Sequence, residues 1–124
     1  MANGSYSQEV IGGSSLAIVK GYLVIAVPDN FDIQDIDTIE SELLEQLNIN
    51  NRIRGVLVDM IRVRSTDSTD LRRLQDCLLA VRLLGRQVAL CGITPGLAAL
   101  IVRSGQNLHH NVVGQDIDDV LKVL

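Results

Sequence analysis

The chain has 124 residues, a formal net charge of −4 and an apolar content of 47%, so a single globular domain with its own core is expected. Aromatic residues make up only 2%, which predicts an aliphatic core and argues against stacking on nucleic-acid bases. The mildly acidic balance excludes a general nucleic-acid binder, and no apolar run reaches the roughly 18 residues of a membrane span.

The first fourteen residues are rich in glycine, serine and asparagine and lack the pattern of a signal peptide. They predict a flexible segment at 1–14, followed by one domain at 15–124 in a cytoplasmic protein. The apolar, β-branched runs Ser15–Lys20 and Gly21–Val27 predict two strands. Lys20-Gly21 at their junction suits a tight hairpin turn.

Helices and further strands then alternate along the chain. A helix is expected at 32–47, where apolar residues recur every three or four positions: Ile33, Ile36, Ile39, Leu43, Leu44 and Leu47. The run Gly55–Met60 predicts a strand covered on both faces. A second helix at 69–84 has the inward positions Leu71, Leu74, Leu78, Val81 and Leu84, and Gly85 ends it.

The remaining pattern predicts a strand at 87–93, a short helix opened by Pro95-Gly96, an edge strand at 111–114 and a last helix at 115–124. This alternation is typical of an α/β fold. We expect a mixed, mainly parallel sheet of four or five strands, with about four helices packed mostly on one face.

No metal or cofactor site is predicted. Cys77 and Cys91 lie in apolar segments, which indicates buried free thiols. The stretch DNFDIQDIDTIE has three carboxylates at calcium-loop positions, but it lacks the glycine and the other ligands of that loop. His109-His110 do not have zinc-site spacing with Cys91, and no phosphate-binding glycine loop with its lysine is present.

A cluster of hydroxyl and acidic side chains, STDSTD at 65–70, stands where a strand leads into a helix. Asp67 or Thr66 could cap that helix, and Asp70 suits the positive end of its dipole. Capping needs only one such residue, so a chemical role for Ser68 stays open.

Two chemical roles can be weighed. A nucleophilic serine needs an adjacent base, and the two histidines lie in a separate polar stretch, so hydrolase activity is not expected. Phosphate on Ser68 would instead add about −1.5 to −2 charge, which the arginines at 62, 64, 72 and 73 could partly offset.

Three features together resemble a STAS domain, the fold of anti-anti-sigma factors: the strand GVLVDM, the Asp67-Ser68 pair that opens a helix, and the β-β-α-β-α-β-α order. The resemblance covers about residues 15–124. The segment GITPGLAALIVRSG at 92–105 is similar to the stressosome branch and its RsbS-type scaffolds. The resemblance implies a non-enzymatic protein phosphorylated on Ser68, with a partner-binding surface formed by Asp67, Thr69, Asp70, Arg64 and Arg72.

The same resemblance implies the partners: a serine/threonine switch kinase, a phosphatase, and a sensor-bearing STAS paralogue within a large oligomer. The sequence departs from the family at Asp70, where many anti-anti-sigma factors have glycine, and in IRVRST, which is more polar than usual. Two alternatives are a simple anti-anti-sigma factor that binds an anti-sigma kinase and a STAS accessory subunit of a membrane transporter.

Overall fold

The computed structural model describes residues 8–11, 16–105 and 112–124. In these ranges six strands form one sheet, in the spatial order β1 (Gln8–Ile11), β2 (Leu16–Val19), β3 (Tyr22–Ala26), β4 (Gly55–Asp59), β5 (Gln87–Cys91) and β6 (Val112–Gly114). The first two pairings are antiparallel and the next three are parallel. The helices are α1 (Ile33–Ile49), α2 (Ser68–Leu83), α3 (Pro95–Arg103) and α4 (Ile117–Val123). The predicted α/β fold with a mixed, mainly parallel sheet is confirmed.

Strand β1 corrects one expectation. The sequence predicted a flexible segment at 1–14, but Gln8–Ile11 pairs antiparallel with β2, with Gln8 opposite Val19 and Ile11 opposite Leu16. Backbone N–H and C=O groups supply this pairing, so it needs no strong side-chain pattern. The rest of the predicted flexible segment, residues 1–7 and 12–14, lies outside the described residues.

The β2–β3 hairpin forms as predicted. Both turn residues have positive φ, 51° for Lys20 and 84° for Gly21. Two successive positive φ values are typical of the type I′ turn, whose twist matches that of the flanking strands. The turn therefore sets the register in which Val19 lies opposite Tyr22.

Alternating side chains of the sheet enter two separate cores. On one face, residues such as Ile25, Val56 and Leu90 pack with α1, α2 and α3 in the larger core. On the other face, Leu57 and Cys91 pack with α4 in a smaller one. Three of the four helices therefore share one face, as expected, and β4 is covered on both faces.

Two positions predicted to face inward do not. Ile33 is 43% exposed and Leu84 is 54% exposed, although both fit the helical stripe. Ile33 is the first residue of α1, and Leu84 is the C-cap that follows α2. Both stand at helix ends, where the sheet no longer covers the stripe.

Candidate functional site

The loop of residues 60–67 carries the hydroxyl cluster from the carboxyl end of β4 to the start of α2. Met60 and Val63 are buried, with 2% and 4% exposure. The Met60 N–H donates to the Cys91 carbonyl oxygen at 2.8 Å, and the Arg64 N–H donates to that of Asp29 at 3.1 Å. The loop is thus tied to the end of β5 and to the segment that follows β3, at the carboxyl edge where sites form in parallel sheets.

Asp67 is the N-cap of α2. Its backbone is extended, with φ −125° and ψ 176°, and its side chain accepts a hydrogen bond from the Asp70 N–H at 2.8 Å. Its carbonyl oxygen accepts from the Leu71 N–H at 3.0 Å. The capping interpretation is therefore confirmed, and Asp67 rather than Thr66 performs it.

Ser68 is the first residue of α2, and both Ser68 and Thr69 are exposed to solvent. The Ser68 hydroxyl is therefore accessible to another protein. The loop before Ser68 is held in the core by the buried side chains of Met60 and Val63. This packing fixes the position at which α2 begins.

The N-termini of α1 and α2 together carry four carboxylates. Asp32 caps α1 and accepts from the Asp35 N–H at 2.9 Å, as Asp67 does for α2. Burial raises the pKa of Asp70, and its neighbours Asp67, Asp32 and Asp35 raise it further. These four carboxylates therefore lie close enough together at the start of the two helices to repel one another.

The arginines near the site divide into two kinds. Arg64 and Arg72 are exposed, and the Arg64 Nε lies 4.0 Å from Asp29 Oδ1, a loose surface pair. Arg73 instead donates to Glu40 Oε1 at 2.7 Å and to Glu40 Oε2 at 3.2 Å, and to Asp37 Oδ1 at 2.9 Å. The expectation that Arg73 could offset a phosphate is therefore wrong, because α1 already occupies its guanidinium group.

A cleft of about 550 Å³ lies beside the loop, between it and the start of α3; it is lined by Ile61, Val63, Arg64, Ser65, Thr66, Thr94, Gly96, Leu97 and Leu100. Thr66 Oγ1 is buried and has no hydrogen-bond partner. The α3 residues that line this cleft, Gly96, Leu97 and Leu100, were not predicted from the sequence. The signal that could have found them is the turn before Pro95, which follows the strand next to β4.

Both cysteines are free and buried, as predicted. Burial, with smaller contributions from Glu40 near Cys77 and from Asp59 near Cys91, raises the pKa of each thiol to about 12. Neither thiol is therefore a nucleophile at neutral pH.

Within the described ranges, no group of three or more acidic, histidine or cysteine side chains could hold a metal ion. His109 and His110 lie outside those ranges. None of the described helices is both long and apolar enough to cross a membrane.

Comparison with known proteins gives one match to a family. The family model described as "STAS domain" matches residues 14–114. A search of curated protein sequences finds no significant match.

Several solved structures share the fold. The structure of Moorella thermoacetica RsbS with a serine-to-glutamate substitution is 22% identical, with a TM-score of 0.77 over 90% of this chain and 94% of that one. A chain from a structure titled "Molecular architecture of the stressosome, a signal integration and transduction hub" is 23% identical, with a TM-score of 0.74 over 87% and 93%. Phosphorylated Bacillus SpoIIAA is 11% identical, with a TM-score of 0.62 over 97% and 100%.

Proposed function

From the premise that this chain belongs to the STAS domain family, we propose that it is a non-enzymatic regulatory scaffold of the RsbS type. It holds a serine/threonine switch kinase against the start of α2 and releases that kinase when Ser68 is phosphorylated. A phosphatase restores the unmodified form. The chain works in the cytoplasm, within a large oligomer that includes a sensor-bearing STAS paralogue.

One observation carries the proposal: Ser68 is exposed at the first position of α2, directly after the capping residue Asp67. A kinase active site must reach the hydroxyl from outside, and this position permits that approach. The partner-binding surface is formed by the residues around it, Asp67, Thr69, Asp70, Arg64 and Arg72.

The charges explain why a phosphate would weaken binding. It would add about −1.5 to −2 charge beside the four carboxylates of the two helix N-termini. Arg73 is bound to α1, which leaves the exposed Arg64 and Arg72 to offset only part of that charge. A partner covering this surface would have to desolvate the phosphate beside these carboxylates, which disfavours the complex.

The similar structures agree with this role. The titles of two of them name RsbS and the stressosome, and a third is SpoIIAA in a phosphorylated form. The likeness to SpoIIAA also favours a second candidate, a simple anti-anti-sigma factor that binds an anti-sigma kinase one to one. Native mass distinguishes the two, because a scaffold forms a particle of many subunits.

The test combines phosphopeptide mass spectrometry on the chain from its native cells, before and after stress, with native sizing of its complexes. Phosphate on Ser68 that rises with stress, in a very large particle, is the expected result. An unmodified Ser68 in a small complex under both conditions would contradict the proposal.

Variants then test the switch. Ser68→Ala should retain the co-purifying kinase under stress, and Ser68→Asp should lose it. Ser65→Ala is the matched control, because Ser65 is an exposed serine of the loop that precedes Ser68 and should behave like wild type. Kinase retention by Ser68→Asp at the wild-type level would exclude release by phosphorylation.

A further inference from the structure

The cleft beside the loop of residues 60–67 has an apolar and a polar part. The apolar side chains that line it are Ile61, Val63, Leu97 and Leu100, and the polar ones are Arg64, Ser65, Thr66 and Thr94. Its volume of about 550 Å³ is that of a small-molecule site, in which a few polar groups orient a mainly apolar ligand. The described residues of the lining include one arginine and no carboxylate. This lining favours a small ligand with an apolar body and a negative charge.

One polar atom of the lining is buried without a partner. Thr66 Oγ1 has no hydrogen-bond partner among the described residues, whereas most buried hydroxyl groups in proteins have one. The loss of its contact with water is therefore uncompensated. Because Thr66 lines the cleft, rotation about its χ1 could turn the hydroxyl to a ligand without breaking an existing hydrogen bond.

The start of α3 supplies a backbone donor. Pro95 has no N–H. The Leu97 N–H donates to Thr94 Oγ1 at 3.3 Å, and the Ala98 N–H donates to the Thr94 carbonyl oxygen at 2.8 Å. The Gly96 N–H precedes the first intrahelical bond and is left without such a partner. Outside its own helix, no described residue has an atom within 4 Å of a β-carbon placed at Gly96, so an anion can approach this N–H closely.

Arg64 supplies the positive charge. Its side chain is 84% exposed, and its Nε lies 4.0 Å from Asp29 Oδ1. This loose pair leaves the planar guanidinium group able to donate two parallel hydrogen bonds to a carboxylate. One arginine and one helix N-terminus match a single negative charge. A phosphate dianion would bring a second charge close to Asp29, so these groups select a carboxylate rather than a phosphate.

We propose that this cleft binds a small ionised carboxylic acid with a hydrocarbon body of several carbons. The carboxylate accepts hydrogen bonds from the Arg64 guanidinium and the Gly96 N–H, and the Thr66 hydroxyl donates a further one. The hydrocarbon body packs against Ile61 and Leu97. Since Ile61 is 59% exposed, binding removes apolar surface from water, which is favourable.

Titration of the isotope-labelled full chain with octanoate, followed by NMR, tests the proposal. Octanoate should cause saturable shifts concentrated on lining amides such as those of Ser65 and Gly96. Octanamide has a similar body without the charge, and acetate has the charge without the body. Each should bind at least tenfold more weakly than octanoate. Equal affinity for octanoate and octanamide, or shifts that do not saturate, would overturn the proposal.

Two pairs of variants test the assigned groups. Arg64→Gln should weaken octanoate binding by about tenfold or more, because it removes charge-assisted hydrogen bonds. Arg103→Gln is the matched control, because Arg103 is exposed on α3 and does not line the cleft. Thr66→Val replaces the hydroxyl by a methyl group and should weaken binding about three- to tenfold, whereas Thr66→Ser should bind nearly as wild type does. Wild-type affinity in Arg64→Gln and Thr66→Val would contradict the assigned contacts.

These titrations use the chain alone and need no kinase, so the inference does not rest on the proposed function. Circular dichroism melting curves confirm that each variant is folded. Octanoate should raise the melting temperature of wild type more than that of Arg64→Gln, because a ligand stabilises the folded state in proportion to its binding. An equal rise in the two proteins would show that octanoate binds elsewhere.

Discussion

Gly92 packs so closely against Asp59 that a β-carbon at Gly92 would lie 2.8 Å from Asp59 Oδ1. The same oxygen accepts a hydrogen bond from the Ile61 N–H at 3.0 Å. The carboxylate at the end of β4 therefore fixes the first turn of the loop that leads to Ser68. The glycine lets the neighbouring connection, from β5 to α3, approach that turn.

Gly92→Ala should destabilise the protein by about 1–3 kcal/mol, because the new methyl group meets Asp59 and Ile61 and because alanine tolerates positive φ poorly. The φ of Gly92 is 73°. Gly96→Ala is the control, since nothing lies within 4 Å of a β-carbon there, and it should be neutral or stabilising. Urea unfolding curves measure both; equal stability of the two variants would contradict the close approach.

Replacing Arg73 should lower the stability of the protein, because it removes the ion pairs that join α2 to α1. Arg73→Ala leaves Glu40, with a side chain 25% exposed, partly buried without its partner. We expect a loss of about 1–2 kcal/mol, less than for a fully buried pair because water still reaches these groups. Arg72→Ala, at an exposed neighbour, should change the unfolding free energy by less than about 0.5 kcal/mol. Similar losses in the two variants would show that the hydrogen bonds from Arg73 to α1 contribute little to the unfolding free energy.

Asp70 should make stability depend on pH in the acid range. Its pKa is raised in the folded state, so the folded chain holds this proton more tightly than the unfolded chain does. Protonated Asp70 therefore contributes to stability below its unfolded-state pKa, about 3.9. This contribution is lost as the pH rises through the pKa of Asp70 in the folded state. Asp70→Asn should therefore be more stable than wild type near pH 7, and the difference should disappear in strong acid.

Thermal unfolding of both proteins across pH 2.5–7 measures this difference. A wild type more stable than Asp70→Asn at neutral pH would mean that attraction of the carboxylate to the α2 dipole outweighs the repulsion.

The two thiols should be unreactive in the native protein. With a pKa of about 12 for Cys77 and for Cys91, almost no thiolate forms at pH 8. A chromogenic disulfide reagent should therefore titrate no thiol in buffer and two in denaturant. Rapid labelling of one cysteine in buffer would indicate local opening of the core around it.

The fold was largely predictable because most of its helices and strands have clear local sequence patterns. The helical repeat of Leu71, Leu74 and Leu78 and the apolar run of β4 are each readable within a short window. The Asp67 cap was predictable for the same reason, since its hydrogen-bond partner is three residues away.

Long-range partners were not predictable. Arg73 meets Asp37 and Glu40, 36 and 33 residues earlier in the chain, and no local pattern distinguishes it from the exposed Arg72. The wall of the cleft that contains Gly96 likewise depends on two connections meeting after the sheet has formed. Strand β1 was missed because its pairing partner, not its own sequence pattern, places it in the sheet.

Helix α2 has Ser68, the proposed phosphorylation site, at its first residue and the exposed apolar side chains Leu79 and Leu83 near its last. Fifteen residues separate Ser68 from Leu83, a rise of about 22 Å along the axis. Ionic screening in physiological salt reduces electrostatic interactions over about 8 Å. The electrostatic effect of a charge added at Ser68 is therefore strongly screened at Leu83, so the proposed phosphorylation would act on the N-terminal part of α2 and leave the C-terminal part almost unchanged.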